Sequence, residues 1–340
     1  MSNQIGIGQV GVGYWGRNLL RNFAALDDAR LAFACDRDRD MLDQVHSRHP
    51  DVPTTKQYGD LLEAADMDAV AVATETPEHY DLARRALEAG KHVFIEKPMT
   101  ETAEQAEKLA ALAEKRDRRL MVGHLLMYHP AFEHVKQLID DGALGEVYYL
   151  YSMRVNLGII RQRENALASL APHDLAVACW LLSERPASVS ASGQAYLQDG
   201  IEDVAFVTVR FEGNPLAHLH ASWLDPHKTR KTTVVGSKQM AVIDDTENNE
   251  KVRLYDKGVD PAPGEARYAD YADAMTLRSG DIRIPHIDME EPLRRECAHF
   301  VESIRTGRTP RSGPRNGLAV TRLLEAAQQS LELGGASVSV

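Results

Sequence analysis

An apolar run, residues 4–10, leads into GVGYWGRN at residues 11–18, and helical spacing follows over 17–25. A strand, a glycine-rich turn and a helix in immediate succession leave few folds open. Gly11 permits a tight turn. Gly13 lets a pyrophosphate approach the backbone, and Gly16 lets helix and strand pack closely. The helix start then offers N–H groups and a positive dipole end to phosphate. Asp36 lies 20 residues after Gly16, behind the strand-like run 31–35. A carboxylate there accepts both ribose hydroxyls of a dinucleotide and repels a 2′-phosphate, which favours NAD over NADP. Arg37 follows and offers a 2′-phosphate contact or an adenine stack instead. The plain alternative is a glycine turn with no ligand. Strand, helix and acid in register favour the dinucleotide grip.

The same alternation continues: strand-like runs at 68–73, 92–95 and 120–122 enclose helical stretches at 77–89 and 102–115. This is the βαβ rhythm of a parallel sheet. After residue 122 the pattern changes to strand-like segments at 147–155, 187–193, 204–211, 217–223, 231–235 and 239–244. Their apolar–polar alternation suits an antiparallel sheet with one solvent face. Helices are expected at 130–141, 172–182, 292–305 and 318–333, and residues 245–289, rich in Asp, Pro and Gly, read as loop. The chain is therefore expected to be α/β in two parts. Residues 1–122 form a Rossmann parallel sheet. Residues 123–340 form an α+β domain with an open, largely antiparallel sheet, its last helix able to pack back on the first.

Composition limits the partners. With 340 residues and a formal charge of -11, the acidic chain is an unsuitable partner for nucleic acid or an anionic membrane. No apolar run is long enough for a transmembrane helix, and the N-terminus lacks signal-peptide character, so a cytoplasmic protein is expected. Cys35, Cys179 and Cys297 form no CxxC pair and read as buried small hydrophobes. The histidines form no helical ligand pair, so no metal is expected.

FIEKPM, residues 94–99, ends the fourth strand of the series. Ligands of open parallel sheets lie beyond the carboxyl ends of the strands, which places Lys97 near a nicotinamide and Glu96 beside it. The Lys97-Pro98 bond is a candidate cis peptide. The ordinary reading of Lys97 is a solvated surface lysine, and that of His173 a helix-cap histidine after Pro172. Thr76 and Pro77 read as the cap and first residue of a helix.

GVGYWG, then ATETPEHYDLARRALEAGKHVFIEKPM, LAPHDL and ECAHFVESIRTGRTPRSG together resemble the Gfo/Idh/MocA oxidoreductases over essentially the whole chain. The resemblance implies hydride transfer between NAD(P) and a sugar or cyclitol carbon, in homodimers or homotetramers paired through the C-terminal sheet. It implies that Lys97 and His173 are catalytic and also meet the substrate. It places Gly11, Gly13, Tyr14, Trp15, Gly16, Asp36, Arg37, Thr74, Thr76, Pro77, His79, Glu96 and Lys97 against the cofactor. Many relatives carry an aspartate four residues before the histidine, where this chain has Ser169. That leaves a Lys97/His173 pair. Alcohol oxidation needs a base for the hydroxyl proton, and either residue can take it while the other holds the oxygen.

GHLLMYHPAF, RVNLG and ASWLDPHKTRKTTVVGSKQM are similar to the nucleotide-sugar 3-dehydrogenase branch of that family. This implies oxidation at C3 of a UDP-N-acetyl-hexosamine, with Tyr128, Arg154, Asn156, Arg161 and Arg163 at the sugar or diphosphate. Trp223, Lys228 and Arg230 are further candidates, and Ala168 stands where relatives have an aromatic. The alternatives are a dehydrogenase of a free sugar or inositol, and a non-catalytic NAD-binding regulator.

Overall fold

Six short strands lie parallel in the order β3-β2-β1-β4-β5-β6 in a computed structural model that describes residues 4–64, 66–261 and 275–340. They are β1 (Ile5–Val10), β2 (Ala29–Cys35), β3 (Thr54–Thr55), β4 (Ala69–Val72), β5 (His92–Ile95) and β6 (Leu120–Val122). Helices α1 (Gly16–Ala24), α2 (Arg39–Arg48), α3 (Tyr58–Glu63), α4 (Thr76–Glu88) and α5 (Ala103–Lys115) connect them. Every residue of β4 and β6 is buried, as strands covered on both faces must be. The strand order reverses between β1 and β4, so the ligand crevice of this topology opens at the carboxyl ends of those strands.

The second sheet has nine strands in the order β14-β13-β12-β11-β7-β10-β9-β8-β15. After α6 (Pro130–Asp140) come β7 (Val147–Val155), α7 (Ala166–Leu182), β8 (Pro186–Gln194), β9 (Val204–Phe211), β10 (Leu216–Ser222), β11 (Thr229–Gly236) and β12 (Met240–Asp244). Then follow β13 (Val252–Pro261) and β14 (Met275–Arg283), with β15 (Val338–Ser339) at the far edge. All neighbours are antiparallel except β7 and β10. Side chains alternate across it. Leu150, Ala217, Leu219 and Val207 are buried on the face toward α7, while Tyr149, Tyr151, Met153 and Phe206 are exposed on the other.

Part of the stretch expected to be loop forms strands. β13 and β14 pair over most of their length, and Arg278 reaches Asp260 at 2.6 Å. Charged edge strands carry little of the apolar signal that marks a buried one. Helix α7 begins at Ala166, capped by Asn165, whose Oδ1 accepts the N–H of Ala168 at 2.9 Å; Pro172 is therefore inside the helix and not at its start. The N-cap of α4 is Glu75, one residue before the expected Thr76.

Two compact units result. One contains the chain up to His129 together with Glu290–Glu325, and the other contains Pro130–Met289 and Ala326–Val340. The first thus extends beyond residue 122. It takes in α8 (Pro292–Thr306) and most of α9 (Pro314–Glu332). Phe300 of α8, Phe23 of α1 and Phe94 of β5 meet one another in three edge-to-face contacts with centroids 5.7–6.3 Å apart. All three rings are fully buried, and each is worth about 3–5 kcal/mol against alanine.

Candidate active site

The glycine loop leaves β1 with Gly11 at φ +85, and a Cβ there would lie 2.5 Å from the carbonyl oxygen of Ala73. Gly16 is tighter still: its Cβ would meet the carbonyl oxygen of Gly11 at 2.1 Å. Around Gly13 nothing lies within 4 Å of the Cβ position. That open space is where a pyrophosphate would approach. No side chain caps α1 and no carboxylate occupies its first turn, so the positive end of its dipole is uncompensated. The residues present therefore fit a dinucleotide.

Gln9 braces this loop, a role that sequence reasoning does not find. Its fully buried amide donates to the carbonyls of Gly11 at 2.9 Å and Gly16 at 2.6 Å. A glutamine in an otherwise apolar strand is the one signal of it. Asp36 closes the other side. One carboxylate oxygen accepts the N–H of Val12 at 2.8 Å, and the other accepts that of Asp38 at 2.9 Å. A carboxylate has about four lone-pair sites, so acceptors remain for ribose hydroxyls. Arg37 is ion-paired with Glu78 of α4.

Thr74, Thr76 and Pro77 follow β4 and are partly exposed or exposed. His79, expected against the cofactor, is instead a buried brace. It is 1% exposed, with Nδ1 2.9 Å from the carbonyl of Pro98 and Nε2 3.1 Å from that of Thr74. It ties the loop after β4 to the loop after β5, and burial holds its pKa below the ordinary value. The Lys97-Pro98 peptide is cis. His124, also silent in the sequence, is 1% exposed, and burial drives its pKa down to about 3. Lys97 is half-buried, and after burial its charge is a further cause of the low pKa of both histidines. Tyr14 is exposed; Trp15 donates its indole N–H to Glu96 at 2.6 Å. Tyr128, expected at the substrate, is fully buried, and its hydroxyl is engaged by Ser312 Oγ at 2.9 Å.

In the second unit His173 is half-buried on α7, with Ser169 one turn earlier on the same helix face. Its neighbour Asp174 is 4% exposed and turns to the sheet. Asp174 accepts Ser152 Oγ at 2.6 Å and two N–H groups of Arg154, one at 3.1 Å. Arg154 is thus committed in part to holding α7 on β7. Arg230 faces it across the strand pair and donates to Asn156 at 2.7 Å. Burial, then the nearby Arg154 charge, lowers the Arg230 pKa. Two guanidiniums around one buried carboxylate leave a partly buried excess of positive charge. Arg161, Arg163 and Lys228 lie on exposed loop, and Arg161 pairs with Glu164 at 3.5 Å. Trp223 is a core residue, its indole held by the buried Asp203. Among the described residues no group of three or more His, Cys, Asp or Glu side chains is arranged to hold a metal ion.

Comparison with known proteins agrees with this geometry. Residues 5–124 match the Gfo/Idh/MocA oxidoreductase family model, described as an NAD-binding Rossmann fold. Residues 132–242 match the C-terminal domain of the same family. UDP-N-acetylglucosamine 3-dehydrogenase of Acidithiobacillus ferrooxidans is 27% identical over 95% of each chain. Its solved structure superposes with a TM-score of 0.81, at 24% identity, over 97% of this chain and 98% of that one. The scyllo-inositol 2-dehydrogenase (NAD(+)) of Bacillus subtilis is 25% identical over 90% of this chain and 86% of its own. GenD2 from gentamicin A biosynthesis, solved in complex with NAD, shares the fold at a TM-score of 0.82 and 21% identity, covering 100% of this chain and 97% of its own. With an NAD-binding Rossmann unit and the matching C-terminal domain, the chain belongs to the Gfo/Idh/MocA family of oxidoreductases.

Proposed function

We propose that the chain is an NAD-dependent dehydrogenase that oxidises a secondary hydroxyl of a sugar, at C3 of a UDP-N-acetyl-hexosamine. The observation that carries the reading is Lys97, half-buried at the end of β5, on the strand edge that also carries the glycine loop. NAD supplies the hydride acceptor. Lys97 and His173 manage the hydroxyl: one takes its proton while the other holds the oxygen. The open position above Gly13 and the uncompensated start of α1 receive the pyrophosphate, and Asp36 receives the ribose. Asp36 and the engagement of Arg37 by Glu78 support NAD over NADP.

For the sugar nucleotide, the support is the excess positive charge of Arg154 and Arg230 near Asn156, with Arg161 and Arg163 on the adjoining loop, and the likeness to the Acidithiobacillus enzyme. Inositol dehydrogenases among the relatives keep a free cyclitol as the second reading. The exposed row Tyr149, Tyr151, Met153 and Phe206 supports a homodimer or homotetramer built through this sheet. Light scattering on the purified protein measures it. No helix among the described residues is long and apolar enough to cross a membrane. The three cysteines are free thiols, which supports a cytoplasmic location.

Mass spectrometry of UDP-N-acetylglucosamine incubated with enzyme and NAD, with and without 2-oxoglutarate as electron acceptor, tests the activity. Loss of two hydrogens from the sugar is expected. Lys97→Ala is expected to lower turnover by about three orders of magnitude, roughly 4 kcal/mol of barrier, with NAD affinity nearly unchanged. Turnover on free inositols but on no sugar nucleotide selects the second reading. Full NAD affinity without turnover of any alcohol selects the non-catalytic regulator.

A further inference from the structure

Glu96 ends β5 as a carboxylate 8% exposed. Its Oε1 accepts the Trp15 indole N–H at 2.6 Å, and its Oε2 accepts the backbone N–H of Lys97 at 3.2 Å. Neither donor carries a charge. Gly123 closes the far side, where a Cβ would lie 2.9 Å from Oε2. Helix α8 brings a second buried carboxyl, Glu296, 1% exposed, whose Oε1 has no hydrogen-bond partner among the described residues.

The groups around Glu96 leave its charge weakly compensated. Burial pushes Glu296 and Cys297 well up and His124 down to about 3, in each case favouring the neutral form. Burial also lifts the Glu96 pKa to about 7, and only the two hydrogen bonds and the Lys97 charge favour the anion. A group so balanced responds to a cation placed beside it, because an opposite charge favours the ionised form. The coupling is reciprocal: ionised Glu96 then favours the cation.

We propose that Glu96 is a charge-compensating positioning residue, ionised while the oxidised, cationic nicotinamide is bound and protonated while the ring is neutral, with the Trp15 hydrogen bond carrying that state to the glycine loop. Below about pH 7, where Glu96 is mostly protonated in the free protein, binding of the oxidised cofactor sends up to one proton from Glu96 to solvent. Binding of the reduced cofactor sends none. The inference rests on the NAD-binding assignment and not on the identity of the sugar.

Affinities of NAD+ and NADH measured by calorimetry across pH, in wild type, Glu96→Gln and Trp15→Phe, test it. NAD+ is expected to bind about tenfold tighter at about pH 7.5 than at about pH 5.5, because one released proton sets the slope, and NADH is expected to show no such gain. In Glu96→Gln the two cofactors are expected to lose this difference. Trp15→Phe removes a bond to the anion, so the midpoint is expected to move up in pH. Should Glu96→Gln fail to fold, the wild type suffices: heats in two buffers of different ionisation enthalpy give proton release for each cofactor. Equal release with NAD+ and NADH overturns the proposal, as does an unchanged NAD+ profile in Glu96→Gln. Binding of neither cofactor at any pH overturns the NAD assignment with it.

Discussion

Asp174→Asn strands a cation. Asp174 is 4% exposed, and the Arg154 side chain that it holds is 12% exposed. Removing one partner of a buried pair leaves the other uncompensated, at about 3–5 kcal/mol. Here the stranded guanidinium also faces Arg230, whose pKa burial and Arg154 already lower. Ser152 is less affected, because Thr232 Oγ1 remains 3.0 Å away. The chain has two units, so a global melting curve is a poor probe. Hydrogen exchange read on peptides of α7 and β7 is direct. At 1.36 kcal/mol per decade, protection of these amides is expected to fall by about two to four orders of magnitude. Arg154→Met alone strands the carboxylate and is expected to do similar damage. The double variant removes both charges and is expected to recover at least about 2 kcal/mol of the summed loss. Strict additivity, or wild-type protection in Asp174→Asn, would refute the reasoning.

Gly16→Ala and Gly13→Ala separate structure from binding. The first puts a methyl 2.1 Å from the Gly11 carbonyl and is expected to cost about 1–3 kcal/mol, read by hydrogen exchange on peptides of β1 and α1. The second meets nothing within 4 Å, so stability is expected to hold while calorimetric NAD affinity drops about tenfold or more. Asp36→Ala is expected to raise the NADP-to-NAD preference about tenfold in kcat/KM; an unchanged ratio would assign selectivity to Arg37 or its loop. His92 accepts the N–H of Arg119 through Nδ1 at 2.8 Å, and burial lowers its pKa to about 4. Folding therefore favours its neutral form. Stability from this group is full above about pH 6.5 and is lost as pH falls toward 4. His92→Asn keeps an acceptor without the titration and is expected to flatten this acid limb in the hydrogen-exchange protection of β5 and β6 peptides.

The glycine loop, Asp36 and the strand-end position of Lys97 are legible in the amino-acid sequence alone. Each depends on local rules: backbone freedom at Gly11, short apolar runs that mark buried strands, and the 20-residue spacing from Gly16 to Asp36. The parallel-to-antiparallel change near residue 122 is legible for the same reason. The strands β13 and β14 are not, since their stability comes from pairing with each other and with β12. Local composition there says loop.

The sequence by itself determined the kind of fold and the residues around its nucleotide edge. Tertiary structure alone decided what each polar side chain is bonded to. His79 reads as a cofactor wall until Pro98 and Thr74 are seen at its two nitrogens. Tyr128 reads as a substrate contact until Ser312, 184 residues away, is found on its hydroxyl. Arg154 reads as a phosphate fork until Asp174 claims part of it. Hydrogen bonds between distant segments leave no period and no spacing in the sequence. They arise because a buried donor or acceptor must be satisfied by whatever the fold brings within reach.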